Sequence, residues 1–302
     1  MPNVKANGIA IEYDSLGAKD AEPMLLISGL GVQMIRWTIP FCQRLAAHGY
    51  RVIRFDNRDV GLSTHFHNAP IPDVAAVANA VARGAQPEVP YSLYDMANDA
   101  VGLLDALEIE RAHIVGRSMG GMIAQLIASE HPHRTLSLTS IMSSTGNPDL
   151  PAAAPEVMAV LMRRAPHPRE DEEGFLAHSL AFSRAIASPG YPFDEAAQRA
   201  QALAEIKRAY NPAGFGRQIA AIAATGDRRC RLNTITTPTL VIHGANDLLI
   251  PVAGGMDTAA HISGATLQVI EGMGHELPPA LYEDIAHAIV CNASASTHDA
   301  RL

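Results

Sequence analysis

The sequence predicts an α/β protein, with a mostly parallel sheet covered by helices on both faces and a helical insertion late in the chain. Two observations carry this. Through the first half, short apolar runs ended by glycine or aspartate alternate with runs at helical spacing. Between about residues 143 and 227 that alternation stops, helix-like segments follow one another without a convincing strand, and strands then return. Short solid apolar strands are the kind buried on both faces of a parallel sheet.

Ile9 to Tyr13 alternates apolar and polar residues, as a half-buried strand does. Met24 to Ile27 is a solid apolar strand that runs into Gly29-Leu30-Gly31. Phe41 to His48 fits a helix stopped by Gly49, and Tyr50 to Phe55 is the next strand, ending in Asp56. Leu93 to Leu107 carries Met96, Ala100, Leu103, Leu104 and Leu107 at helical intervals. His113-Ile114-Val115 is a strand that leads into Gly116-Arg117-Ser118-Met119-Gly120-Gly121, and an apolar helix, Met122 to Ser129, follows. Leu136 to Met142 is a further buried strand. Pro155 to Arg164, Glu172 to Ile186, Asp194 to Tyr210 and Gly216 to Ala224 read as the insertion's helices, with Arg169 to Glu173 as a solvated helix start. Thr239 to Ile242 and Thr266 to Ile270 are the last strands, Leu281 to Val290 the last helix, and the small polar tail from Asn292 is expected to fray. The division expected is a core of residues 1–143 and 228–302 and a cap of residues 144–227. In open α/β sheets ligands bind outside the carboxyl ends of the strands, so the cap is expected to cover the site.

Composition narrows the function classes. With 302 residues, 48% of them hydrophobic and 18% charged, the chain supports a large core. Against 31 acidic residues there are 23 basic ones, a net charge of −8, which argues against a nucleic-acid surface. Cys42, Cys230 and Cys291 are too scattered for a disulfide framework or a zinc site. The N-terminus lacks the apolar core of a signal peptide and no run has the length of a membrane span, so a cytoplasmic protein is expected. Oligomeric state is not legible.

Gly116-Arg117-Ser118-Met119-Gly120 has the G-x-S-x-G spacing between a strand and a helix. A serine on so tight a turn projects above the sheet, and small residues two positions either side let helix and strand close around it. Its hydroxyl needs a base. Of 13 histidines, His275 in Gly272-Met273-Gly274-His275 follows the last strand and so hangs over the same sheet edge. His243 reads as strand-end packing, His131 and His133 as facing away, and His65 and His67 as loop residues without an orienting partner. The base needs a carboxylate on its far nitrogen. Asp247, just past the penultimate strand, is preferred to Asp149, which lies in the loop after Leu136–Met142. An oxyanion needs two main-chain N–H donors, expected from Met119 and from Leu30 in the glycine-flanked loop after Met24–Ile27.

These marks resemble the α/β-hydrolase superfamily over nearly the whole chain. The nucleophile–acid–base order Ser118, Asp247, His275 agrees with it. Phe55 to Ser63 resembles its D-x-R-G-x-G-x-S loop, and with Gly272–His275 and Leu277-Pro278 it looks most like the branch of aclacinomycin methylesterase-like enzymes and related mycobacterial lipase/esterases. The resemblance implies an eight-stranded, mostly parallel sheet with a cap after the sixth strand. It implies a carboxylic ester hydrolase that uses Ser118, His275 and Asp247 through an acyl-enzyme, without cofactor or metal, on small to medium apolar esters. The same triad also serves C–C bond hydrolysis, lactone opening or cofactor-free haloperoxidation, and a non-catalytic ligand receptor is the alternative of another class. Serine at the elbow argues against dehalogenases and epoxide hydrolases, and leaves Tyr191 and Tyr210 as packing residues. Asp56 and Arg58 are expected to brace their loop as an ion pair. Asp59 stands where the family has glycine, and Ser28-Gly29 replaces His-Gly in the oxyanion loop. Arg117 replaces a histidine common before the serine, and is expected to ion-pair behind the elbow. Trp37, Met158 and Met162 are expected to line the pocket.

Overall fold

Eight strands form one sheet: β1 (Asn3–Ala6), β2 (Ile9–Leu16), β3 (Glu22–Ile27), β4 (Tyr50–Phe55), β5 (Ala112–Arg117), β6 (Thr135–Ile141), β7 (Thr239–Gly244) and β8 (Thr266–Ile270). The computed structural model describes residues 2–299. Strand order is β1-β2-β4-β3-β5-β6-β7-β8. The β1–β2 and β2–β4 pairs are antiparallel and the rest parallel. The core helices are α1 (Ile39–Ala47), α2 (Val74–Ala82), α3 (Leu93–Ala106) and α4 (Met119–Glu130). Between β6 and β7 lie α5 (Pro155–Leu161), α6 (Glu172–Ala185), α7 (Glu195–Arg208), α8 (Pro212–Thr225) and the short α9 (Arg229–Leu232). α10 (Ala253–Ala260) joins β7 to β8, and α11 (Tyr282–Asp299) closes the described chain.

The sheet is packed on both faces, as its solid apolar strands require. Leu25, Ile27 and Ile114 meet Leu103, Leu104 and Ile123 of α3 and α4 on one side. Met24, Leu26 and Val115 meet Phe41, Leu45 and Ile285 of α1 and α11 on the other. The sequence carried no expectation for β1, α2, α9 or α10. Of the tail expected to fray from Asn292 to Leu302, the described part is corrected, because α11 continues to Asp299, with the Asn292 side chain donating to Leu138 O at 2.9 Å and Ala293 fully buried, and residues 300–302 lie outside the described residues. Among the described residues no helix is long and apolar enough to cross a membrane.

Buried charge fixes α7 and α8 to the core. The expected Asp56–Arg58 pair does not form, because the loop turns the two side chains apart. Asp56 accepts from Met34 N and Leu62 N and pairs with Arg208 of α7 at 2.5 Å. Arg58 reaches α3 and grips both oxygens of Asp99 at 2.6 and 2.7 Å. Asp59, with φ at +67°, turns its carboxylate into the core, where Arg217 of α8 grips it at 2.8 Å on each oxygen and Tyr91 donates at 2.7 Å. The side chains of that pair are 1% and 0% exposed. Burial works against the Asp59 carboxylate, yet the bonds from Arg217, Phe66 N and Tyr91 hold its pKa below the usual value.

Removing one partner of a buried, hydrogen-bonded pair leaves the other charge uncompensated. Arg217→Met is therefore expected to lower unfolding stability by about 3–5 kcal/mol, read by chemical denaturation. In a double-mutant cycle, adding Asp59→Asn should cost far less on the Arg217→Met background than on the native one. A loss under about 1 kcal/mol for Arg217→Met would show the pair to be dispensable.

Candidate active site

Every residue of the candidate site stands at the carboxyl edge of the sheet, on the turns that leave β3, β5, β7 and β8. Ser118 occupies the turn between β5 and α4 with φ 55° and ψ −126°, a conformation costly for a residue with a Cβ. The turn is held from both sides. Ser118 N donates to Ile141 O at 2.9 Å, and Ser143 Oγ donates to Ser118 O at 2.8 Å. A Cβ on Gly116 would overlap the carbonyl of Gly120, and one on Gly120 would overlap that of Ile27. The glycine spacing is thus dictated by main-chain contact between β5, α4 and β3.

His275 Nε2 lies 3.0 Å from Ser118 Oγ, and His275 Nδ1 lies 2.7 Å from Asp247 Oδ2. Asp247 Oδ1 accepts from Leu249 N at 2.9 Å and Ile250 N at 2.8 Å, which orients the carboxylate from its own turn. Burial would raise the Asp247 pKa, but the His275 imidazole, bonds from His243 and His275 and the Ile250 amide outweigh it and hold the carboxyl well below its usual range. Asp247 is therefore an anion beside the imidazole at neutral pH. The ring it orients can take a proton from the Ser118 hydroxyl and carry the resulting charge against a fixed carboxylate.

His243 does more than the strand-end packing expected of it. Its buried ring donates from Nε2 to Ile250 O at 2.8 Å, with Asp247 Oδ2 3.4 Å away, and so braces the turn that carries Asp247. The i, i+4 spacing of His243 and Asp247 was the available signal. Asp149 is exposed in its turn and makes no bond to His275. His65 bonds Gly61 O at 2.9 Å, and half-buried His131 bonds Asn98 at 3.1 Å.

The N–H groups of Leu30 and Met119 have no protein acceptor among the described residues, whereas the neighbouring Gly31 N donates to Gln218 Oε1 at 2.8 Å. The Cβ direction of Gly29 comes within 3.2 Å of Ser118 Cβ, so the loop bearing Leu30 lies against the serine. Two main-chain donors are thereby left free on turns that meet at Ser118.

The insertion closes on this edge through hydrogen bonds that sequence reading missed. His275 N donates to Ile186 O at 2.9 Å, Gly274 N to Ser188 Oγ at 2.9 Å, and Ser188 N to Glu276 Oε1 at 2.9 Å. The expected pocket-lining residues are not gathered there. Met158 and Met162 are 37% and 61% exposed, because α5 turns Val157 inward and those two outward. Trp37 is fully buried, stacked on Phe41 at 5.6 Å between ring centres, so it packs inside the core. The expected ion pair of Arg117 is also absent. Its guanidinium has no carboxylate partner among the described residues and lies 4.8 Å from the centre of the Trp37 ring.

The sequence model of the "alpha/beta hydrolase fold" family matches residues 22–278. The chain is similar to a rhodomycin D methylesterase of Streptomyces sp., with 30% identity and 96% of each chain covered. It is 26% identical to a 3-oxoadipate enol-lactonase of Acinetobacter baylyi, over 88% of this chain and 86% of that one. Among solved structures it is similar to the enol-lactonase from Burkholderia xenovorans, with a TM-score of 0.73, 22% identity, and 97% of this chain and 100% of that one covered. With a family model spanning β3 to β8, the elbow and the histidine turn together, this chain belongs to the α/β-hydrolase fold family.

Proposed function

We propose that the chain is a carboxylic ester hydrolase in which Ser118, His275 and Asp247 act as nucleophile, base and orienting acid. The observation that carries this is the unbroken series of contacts from Ser118 Oγ through His275 to Asp247, with two free N–H donors beside the serine. Ser118 Oγ adds to the ester carbonyl carbon as its proton passes to His275 Nε2. The oxyanion then sits on the N–H groups of Leu30 and Met119, each such donor typically contributing about 3–4 kcal/mol to the barrier reduction. Collapse of the adduct breaks the C–O bond to the alcohol, which leaves with the proton from His275. Water, deprotonated by the same nitrogen, adds to the acyl-serine, and the second collapse releases the acid and restores Ser118. The methylesterase relatives support the ester class. Lactone opening is the same chemistry on a cyclic ester, and the enol-lactonase relative makes it the second arm of the test.

The helices of residues 144–227 serve as the cap in this reading. Its ties to the histidine turn and the charge pairs of α7 and α8 describe a cover held in place over dissolved substrate. No cofactor or metal takes part, and the partner is a small-molecule ester rather than nucleic acid or membrane. The cytoplasm is the proposed setting, since exposed Cys230 and Cys291 are free thiols, as a reducing compartment maintains.

The test is kcat/KM over methyl to octyl chain lengths, with a lactone, a C–C hydrolase substrate and an emulsified triglyceride alongside. Each buried methylene is worth about 0.8 kcal/mol, or about fourfold, so activity is expected to climb over short to medium chains and then level off. A rate that jumps at the solubility limit of a triglyceride, with long chains preferred, would overturn the fixed-cap reading. Turnover of the C–C substrate above every ester would replace the ester class.

A further inference from the structure

Arg117 stands apart from the other inward-facing arginines. Arg36, Arg58 and Arg217 each grip a carboxylate with two nitrogens, and Arg228 holds the carbonyls of Gly226 and Ser144. The Arg117 side chain makes no hydrogen bond or ion pair to any described residue, and its guanidinium lies over the face of Trp37. The carboxylate that acts on its charge, Glu205, is already held at both oxygens by Arg36. Burial, then the nearby Arg36 charge, pulls the guanidinium down to about 10, against a smaller opposing pull from Glu205, which leaves it protonated at neutral pH.

Its position follows from the strand. Ile114 packs toward α3 and α4, whereas Val115 packs with Trp37 and Phe41 on the other face. Two residues on from Val115, at the end of β5, Arg117 continues that second face up to the carboxyl edge. Trp37, Phe41 and Cys42 are almost fully buried, yet Arg117 keeps partial exposure, as do Ser118, Leu30 and Glu276 around the same edge. The Trp37 ring thus covers one side of the guanidinium, on a residue that keeps partial exposure directly before the nucleophile in the chain.

We propose that Arg117 anchors an anionic group of the substrate, so that the preferred esters carry a carboxylate a few bonds from the scissile carbonyl, as half-esters of short dicarboxylic acids do. This rests on the esterase reading and narrows its substrate class. A fork of N–H donors with no partner among the described residues matches a carboxylate in two parallel bonds, and the Trp37 ring face lies against that fork, 4.8 Å from centre to Cζ. On a chain of net charge −8, such a local cation selects for the anion where the global field does not.

The experiment compares monomethyl esters of malonate through adipate with uncharged methyl esters of equal length. The native enzyme is expected to favour one anionic ester by about tenfold or more in kcat/KM, chiefly through KM, with the advantage shrinking as salt is added. Arg117→Leu should bring that ratio to about one, and Arg117→Lys, a point charge without the fork, should keep part of it. A native ratio at or below one, or parallel losses on both esters in Arg117→Leu, would overturn the proposal. A native enzyme that turns over neutral esters in a Ser118-dependent way but shows no anionic preference sinks only this inference, whereas no ester turnover at all sinks the esterase reading. A readout independent of turnover is the melting shift given by monomethyl glutarate to the Ser118→Ala protein. The shift is expected with Arg117 present and lost in Arg117→Leu, and its absence with Arg117 present counts against the site.

Discussion

Ser118→Ala is expected to lower kcat on any soluble ester by about 10⁴- to 10⁶-fold, because the variant lacks the atom that forms the acyl-enzyme and keeps only the binding and oxyanion contributions. The fold should survive the change. The turn is shaped by main-chain contacts, by the Ser118 N–Ile141 O bond and by the close approach of Gly116 to Gly120, none of which uses the hydroxyl. Alanine incurs the same cost at φ 55° as serine does. The measurement is steady-state turnover with a thermal melt on the same preparation. A variant with a native melt that retains more than a few per cent of the rate would remove Ser118 from the nucleophile role. Loss of the pre-steady-state burst of alcohol would support the acyl-enzyme step specifically.

What could be read from sequence was the chemistry that is local in the chain. The elbow is legible because one turn needs glycine at fixed offsets from one serine, and those residues are five consecutive letters. His275 and Asp247 are legible because the turns after the last two strands must end at the same sheet edge as Ser118. Pairing between distant charges is not legible. Asp59 showed only as a departure from a loop pattern, yet it is the buried anchor of α8, gripped by an arginine 158 residues away. Asp56 likewise finds its partner in α7. The sequence supplies the charges, while the packing angle of the insertion decides which of them meet.

Element boundaries failed for physical reasons as well. Gly120 and Gly121 read as turn residues, so the helix was expected from Met122. In the structure α4 begins at Met119, directly after the nucleophile, because those glycines let the helix lie flat against β3 and β6. Val74 to Ala82 is almost uniformly apolar and small, without a polar face to reveal helical spacing, yet it packs as α2 against α8. The pocket-lining expectation for Met158 and Met162 failed because a short helix with apolar residues on two sides buries only one of them, and Val157 took that side.

Asp247→Asn is expected to cost about 10³- to 10⁴-fold in kcat, and Asp149→Asn almost nothing. The amide keeps the shape of the side chain, and its oxygen can still accept from Leu249 N and Ile250 N, so the turn should hold. What is lost is the charge 2.7 Å from His275 Nδ1. With its amide nitrogen toward the ring, asparagine would donate to Nδ1 and favour the tautomer with the proton on Nε2, the nitrogen that must accept from Ser118 Oγ. With its oxygen there it keeps the tautomer but no longer offsets the imidazolium charge in a buried site. Either way kcat falls while KM, set by contacts away from this carboxylate, should change little. A second consequence separates this role from a structural one. His243 lies 3.4 Å from the same carboxylate, so His243→Gln should loosen the turn and lower kcat by far less than the loss of charge does. Should Asp149→Asn prove the crippling change and Asp247→Asn a mild one, the acid would belong to the loop after β6, and the contact series read from the structure would not be the one that works in solution.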